Sequence, residues 1–199
     1  MTSPKNNMSV INALLDLQAS YIGDKRLEQA FAVTQDRIRS MALVHQKLYE
    51  ANDLSRINLK DYINDLMKSL LDSHFIPSRQ ISFVAEMEDV FVLIDTAIPC
   101  GLILNELISN ALKYAFSGKS TGEISIHLCR MEDGVIYFNV SDNGIGLPAG
   151  FDINRDGRMG MQTILALAES QLKAHISFLS EGGVSCKLQF KDNLYQSRI

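Results

Sequence analysis

ISIHLCRMEDGVIYFNVSDNGIGLP, residues 124–148, contains two strands, the turn between them and a glycine-rich exit. Ile124, Ile126 and Leu128 alternate with polar residues, and residues 135–140 alternate in the same way. That two-residue period predicts strands with one buried face. Glu132-Asp133-Gly134 between them reads as a hairpin turn. Asp142 comes directly after the second strand, followed by Gly144 and Gly146. Glycines here permit positive φ and let a ligand approach the backbone closely. A carboxylate fixed at a strand end can accept a hydrogen bond from an exocyclic amine. Alone, the same letters also fit an ordinary Asp-Asn-Gly turn.

Upstream lies NELISNALKYAF, residues 105–116, within a long helix expected from Ile98 to Phe116. Glu106, Asn110, Lys113 and Tyr114 are spaced four, three and one apart and share one helical face. Cys100, Leu104, Leu107, Ile108, Ala111 and Ala115 line another, apolar face. One face can seat in a core while the other offers a carboxylate, an amide, an ammonium and a phenol. Those groups suit a metal–triphosphate, with oxygen ligands for Mg²⁺ and a cation for phosphate. Alone, the stripe fits a solvated helix face equally well. Downstream, Gly157-Arg158-Met159-Gly160 opens a helix predicted over Met159 to Leu172, and backbone at a helix N-terminus suits anions. GIGLPAG has the wrong spacing for a dinucleotide fingerprint, Pro148 interrupts it, and no GxxxxGK[ST] loop exists. His175 to Leu179 and Val184 to Phe190 form a last hairpin, turned at Glu181-Gly182-Gly183.

The first fifty residues are helical in pattern. Val10, Leu14, Leu17 and Tyr21 recur at helical spacing, Gly23-Asp24 breaks the run, and Leu27, Phe31, Thr34, Ile38, Met41, His45 and Leu48 form a heptad seam. Two such helices joined by a short turn make an antiparallel hairpin. Pairing two hairpins into a four-helix bundle buries what one hairpin cannot, so a homodimer through residues 6–50 is expected. A boundary is expected at Asn52-Asp53 and Arg56-Ile57-Asn58. A third helix follows from about Leu59 to Ser73, with Tyr62, Leu66 and Leu70 on one face, ending before Pro77 and Ser78. Ile81 to Val84 and Val90 to Ile94 are short β-rich runs around an acidic turn. The predicted fold is α+β: a helical hairpin (1–55), then an α/β sandwich (56–199) whose mostly antiparallel mixed sheet has helices on one face.

At 199 residues, 46% hydrophobic and 21% charged, the chain has the composition of an ordinary globular protein. The net charge of −4 includes no basic stripe, which argues against nucleic acid as a partner. Cys100, Cys129 and Cys186 are odd in number, far apart and without metal-ligand spacing, as expected of free thiols in a reducing compartment. The longest apolar stretch, Val90 to Leu104, is interrupted by Asp95, Pro99 and Gly101. With no membrane segment and no signal peptide in view, a cytoplasmic location is expected.

In this order and spacing, NELISNALKYAF, SDNGIGLP and the glycine-led helix resemble the nucleotide-binding boxes shared by DNA gyrase, the ninety-kilodalton heat-shock chaperone, histidine kinases and the mismatch-repair protein MutL. The wording is most similar to a sensor histidine kinase. LLDLQASYI and RIRSMALVHQKLYE are similar to the dimerisation segment of one bacterial and archaeal subclass, with the hallmark His-His-Arg-Val-Lys-Asn-Asn. The resemblance spans residues 5 to about 190. It implies ATP and Mg²⁺ as cofactors, a response regulator receiver domain as partner, and phosphoryl transfer from ATP to histidine. By that likeness Asn110 is the Mg²⁺ ligand, Glu106 orients or deprotonates a water near the metal, Lys113 meets phosphate, and Tyr114 packs near ribose or base. Asp142 reads the adenine amine, Gly144 and Gly146 shape its turn, residues 147–159 form a mobile lid, and Gly160 and Met161 offer backbone amides.

Two positions depart from the pattern. The Lys-Asn-Asn is Lys5-Asn6-Asn7, so Met1 and Thr2 stand where the histidines belong, with Ser3 and Pro4 in the Arg and Val places. Either the segment has degenerated or the chain carries a foreign start. Of the other histidines, His45 falls on the seam, His127 and His175 in strands, and His74 near a helix end; none has an acceptor context. In the last hairpin Val184 follows Gly182-Gly183 where the family commonly has threonine, and Ser185 faces the opposite side of the sheet. A kinase core without the usual acceptor is therefore expected. The alternative is a degenerate, dimeric scaffold that binds a response regulator without kinase activity. An ATP-driven clamp like gyrase or the chaperone fits less well, because a heptad hairpin lies directly upstream.

Overall fold

The structure is a computed structural model and describes residues 10–15, 17, 18, 21, 24–50, 56–73 and 80–192. Helical backbone at 10–15, 17, 18 and 21 precedes helix α1, Lys25–Glu50. Gln35 Nε2 on α1 donates to the carbonyl of Asn12 at 3.2 Å, which ties the two helical stretches side by side as the hairpin requires. The seam residues Phe31, Ile38, Met41 and His45 are only partly covered, and Leu27 and Thr34 are exposed. The buried residues of α1 include Ser40 and Val44, on a second stripe that the seam reading passed over.

Strand β1 (Arg56–Asn58) occupies the expected boundary and pairs antiparallel with β3 (Phe91–Leu93). Helix α2 (Leu59–Ser73) runs where its periodicity placed it, with Tyr62, Leu66 and Leu70 buried. Strand β2 (Gln80–Met87) does not pair with β3 across the acidic turn; it lies parallel to β4 (Thr121–Arg130). The remaining neighbours are antiparallel: β5 (Ile136–Asp142) to β4, β7 (Ser185–Phe190) to β5, and β6 (His175–Leu179) to β7. The sheet order is β2-β4-β5-β7-β6, so the expected mixed, mostly antiparallel sheet is present. Both expected hairpins, β4–β5 and β6–β7, form.

Strand alternation decides which way the sheet faces. Ile126, Val140 and Cys186 stand in one cross-strand row, and Leu128, Phe138 and Leu188 in the next. All six are buried, in one core with Ile103, Leu104 and Ile108 of helix α3 (Ile94–Asn110) and Ile164 of helix α5 (Met159–Ala166). The opposite face is polar. Ser125 and Ser141 share a hydroxyl hydrogen bond of 2.7 Å, and Ser185 Oγ donates to Asn139 Oδ1 at 2.9 Å. Helices therefore cover one face, as anticipated.

Helix α3 begins at Ile94, four residues before its expected start, and continues beyond Asn110 as a wide five-residue turn, Ala111–Ala115. Its start is anchored from far away. The Asp192 carboxylate accepts the Leu93 N–H at 3.2 Å and the Thr96 hydroxyl at 2.6 Å. Helix α5 likewise ends in a wide turn, Leu167–Gln171. Cys100, Cys129 and Cys186 are free thiols, and burial pushes Cys186 up to about 12. Among the described residues, no helix is long and apolar enough to cross a membrane.

Candidate functional site

A cavity of about 890 Å³ opens between α3, the end of β5, the segment before α5, and α1. Glu106, Asn110, Lys113, Tyr114, Asp142, Gly146, Gly160 and Met161 line it. Gly144 does not line it, and lies against Ala115 and Asp142, which do. The helix and strand residues singled out by sequence thus meet at one place.

The sheet pleat explains why Asp142 enters. It extends the inward row Ile136, Phe138, Val140 by one more period, and pairs with Ile124 at the end of the ladder. Beyond the apolar layer that row meets open cavity instead of packed helix. Asp142 Oδ1 accepts the Gly144 N–H at 2.8 Å and the Val184 N–H at 3.4 Å. Burial raises its carboxyl above the ordinary carboxylate value, partly offset by those two N–H groups and by the Lys119 ammonium. Lys119, which no spacing rule picked out, donates from Nζ to the carbonyls of Asn143 at 2.9 Å and Gly144 at 3.1 Å. It pins the glycine turn.

The glycines are sterically required. A Cβ on Gly144 would come within 2.7 Å of Asp142 Oδ1. Gly146 has φ +75 and Gly183 has φ +133, and a side chain on Gly183 would run into the Asp142 carbonyl. In sequence Gly183 is a hairpin-turn residue and the second glycine of the pair before Val184. Its conformation brings the β6–β7 turn against the end of β5. Val184 follows it into the cavity wall, and Ser185 points to the opposite face and bonds Asn139. The expected loss of a hydroxyl at position 184 therefore has its geometric counterpart.

The polar stripe is buried at its α3 end and exposed only beyond Asn110. Glu106 is only 6% exposed, and Asn105 and Ser109 are buried beside it. The wide turn after Asn110 carries Lys113 and Tyr114, which stay exposed at the rim, Tyr114 at 57%. Wide turns of this kind recur at functional sites. Glu106 is covered from two sides. Arg37 of α1 donates from Nε to Glu106 Oε1 at 2.7 Å. A Cβ on Gly160 would lie 2.6 Å from Glu106 Oε2 and 3.7 Å from Asn110 Nδ2. Arg37 was not foreseen, because its partner is 69 residues away and sequence periodicity reports only near neighbours.

Helix α5 begins with no capping side chain after Arg158. Its first-turn N–H groups, those of Gly160 and Met161 among them, have no intrahelical partner, and both residues line the cavity. Between β5 and α5, residues 147–158 include the short helix α4 (Ile153–Asp156), capped by Asp152. No cluster of three or more His, Cys, Asp and Glu side chains suited to a metal occurs among the described residues. Among the oxygen-bearing side chains that line the cavity, the Asn110 amide and the Glu106 carboxylate are the ones beside Gly160 at the start of α5. One or two protein oxygens completed by phosphate and water suit Mg²⁺, which keeps much of its hydration.

The family described as histidine kinase matches residues 5–74, and the family described as histidine kinase-, DNA gyrase B-, and HSP90-like ATPase matches residues 96–192. The chain is 30% identical over 173 residues to the sensor histidine kinase PdtaS of Mycobacterium tuberculosis, covering 84% of this chain and 33% of that protein. It is 24% identical over 169 residues to the blue-light-activated histidine kinase 2 of Erythrobacter litoralis, covering 83% and 48%. The chain thus spans between a third and a half of the length of these curated relatives. In fold it is similar to the histidine kinase domain of an Erythrobacter litoralis blue-light activated kinase, with a TM-score of 0.71 at 20% identity over 93% of this chain and 85% of that one.

Proposed function

This chain belongs to the histidine kinases, in the superfamily they share with gyrase B and the HSP90 chaperone, and on that premise we propose that it is the Mg-ATP-binding core of a two-component sensor. Its reaction is transfer of the γ-phosphoryl group to a histidine and from there to the receiver domain of a response regulator. One observation carries the reading: Asp142 from a strand end and Glu106, Asn110, Lys113 and Tyr114 from one helix line a single cavity. The functional division falls near residue 55, with the hairpin serving dimerisation and the remainder binding nucleotide.

In this reading the adenine amine meets Asp142, whose Oδ1 is held by two backbone N–H groups, leaving Oδ2 to accept. Tyr114 flanks ribose or base at the rim. Lys113 and the backbone N–H groups of Gly160 and Met161 meet the phosphates, and residues 147–159 close over them. Asn110 would hold Mg²⁺, which supplies charge neutralisation for the β- and γ-phosphates. Glu106 receives or orients the proton of the attacking group. Little covalent chemistry is asked of the protein, since positioning and electrostatics dominate phosphoryl transfer.

Residues 1–9, including Met1 and Thr2 at the hallmark histidine positions, lie outside the described residues. The expectation for this chain is nucleotide binding without self-phosphorylation at that position. Incubation with γ-labelled ATP tests it, and acid-labile label on a histidine of this chain refutes it. The site itself is tested by calorimetric titration with Mg²⁺ and a non-hydrolysable ATP analogue. Binding that Asn110→Ala makes insensitive to Mg²⁺ supports the kinase core. No binding by the unmodified chain favours the regulator-binding scaffold instead.

A further inference from the structure

We propose that Arg37, on the hairpin helix outside the ATP-binding segment, is a further phosphate-binding residue, and that the triphosphate frees Glu106 by taking Arg37 from it. The proposal rests on the nucleotide reading of the cavity. Arg37 and Glu106 both line that cavity. Their ion pair is 2.7 Å long, with the two side chains 22% and 8% exposed, so the guanidinium keeps an open side while the carboxylate keeps almost none. A Cβ on Gly160 would lie 2.6 Å from the other carboxylate oxygen and 3.7 Å from the Asn110 amide nitrogen, so all three stand together. Guanidinium, carboxylate, amide and the uncapped start of α5 are therefore contiguous.

In this arrangement Glu106 has both oxygens covered and is poorly placed to take a proton from an attacking group. Desolvation of the nearly buried carboxylate offsets most of the attraction, so the net contribution of the intact pair is small. A terminal phosphate carries more charge than a carboxylate and matches the planar fork of arginine with two parallel hydrogen bonds. Entering beside Asn110, it competes directly for Arg37. The guanidinium also reaches Thr163 Oγ1 at 3.4 Å, and Thr163 in turn donates to the carbonyl of Met159. Arg37 thus joins α1 to the helix that follows the proposed lid, and moving it to phosphate changes what holds hairpin and lid together. The coupling is reciprocal: whatever displaces α1 alters triphosphate affinity by the same factor.

The test is calorimetric titration of the full chain with Mg²⁺ and either ADP or a non-hydrolysable ATP analogue. Arg37→Gln should weaken analogue binding about fivefold or more relative to ADP. Glu106→Gln should tighten analogue binding relative to ADP, and that tightening should vanish in the double variant. An unchanged analogue-to-ADP ratio in Arg37→Gln overturns the proposal. So does tightening that survives in the double variant, which would be plain repulsion between carboxylate and phosphate. Failure of the unmodified chain to bind either nucleotide removes the site reading and this proposal together, whereas binding with a flat ratio removes this proposal alone.

Discussion

Asp142 divides its carboxylate between fold and ligand. Oδ1 closes the turn by accepting from Gly144 and Val184, while Oδ2 is the acceptor proposed for the adenine amine. Asp142→Asn can preserve the first role with its amide oxygen, but it then points an NH₂ donor at another donor. Binding of the ATP analogue should weaken by about 1–3 kcal/mol, measured by calorimetry. Stability should move the other way. Burial raises the Asp142 pKa in the folded state, so the folded protein holds that proton more tightly than the unfolded chain. Its stability contribution is fully present below the unfolded carboxylate value and is lost as pH rises through the raised folded value. Asp142→Asn should therefore melt no lower than the unmodified protein at pH 7. That advantage should disappear as pH falls toward the ordinary aspartate value of about 4. Analogue affinity of the unmodified chain should fall on acidification through the raised Asp142 pKa, and the variant should lack this step. A variant that melts well below the parent at pH 7 would mean that the charged carboxylate is an essential part of the turn.

Helix α3 presents the site, and both of its ends depart from what local sequence describes. Its start is anchored by Asp192, which accepts from the Leu93 N–H and from the hydroxyl of Thr96, 96 residues away. An anchor supplied from the far end of the chain leaves no local signature. Asp192→Ala should cost about 1 kcal/mol, lowering the melting temperature by about 2–4 °C for a chain of this size. An unchanged melt would show that the helix start holds without it. At the other end the wide turn Ala111–Ala115 is as apolar as an ordinary helix and has no distinguishing letters. The 4-3-1 spacing brings Glu106 and Asn110 to one cavity because both lie in regular helix. It could not tell that Glu106 would be buried and Tyr114 left at the rim. The β6–β7 turn is similar: two glycines marked it, but the approach of Gly183 to the Asp142 carbonyl depends on where two hairpins meet. Gly183→Ala, at φ +133, should cost more than about 1 kcal/mol and weaken analogue binding in the same titration.

Across the whole molecule, what was legible followed sequence distance. Period-two strands and turn residues located β4–β5 and β6–β7, while the parallel β2–β4 pairing and the three-residue β1–β3 ladder join segments separated by helices and left no local trace. Helix α1 shows the same limit in one element. Its heptad seam was readable, yet the face it turns to the cavity, through Val33 and Arg37, is set by residues far along the chain. With that face turned to the cavity, which also takes Thr34 of the seam, the preceding helical stretch is left largely uncovered. Val10, Leu14 and Tyr21 are 57%, 56% and 93% exposed, and exposed apolar stripes of this kind mark association surfaces. A second copy of the hairpin is the partner we propose for it, since a four-helix bundle would cover such a stripe symmetrically. The combined change Val10→Glu and Leu14→Glu should therefore shift the protein from dimer to monomer in sedimentation equilibrium. Its affinity for the ATP analogue should hold within about twofold, since every residue proposed to touch nucleotide lies in one chain. A parent protein that sediments as a monomer would remove the dimer, and a dimer unmoved by both charges would place the contact elsewhere on the chain.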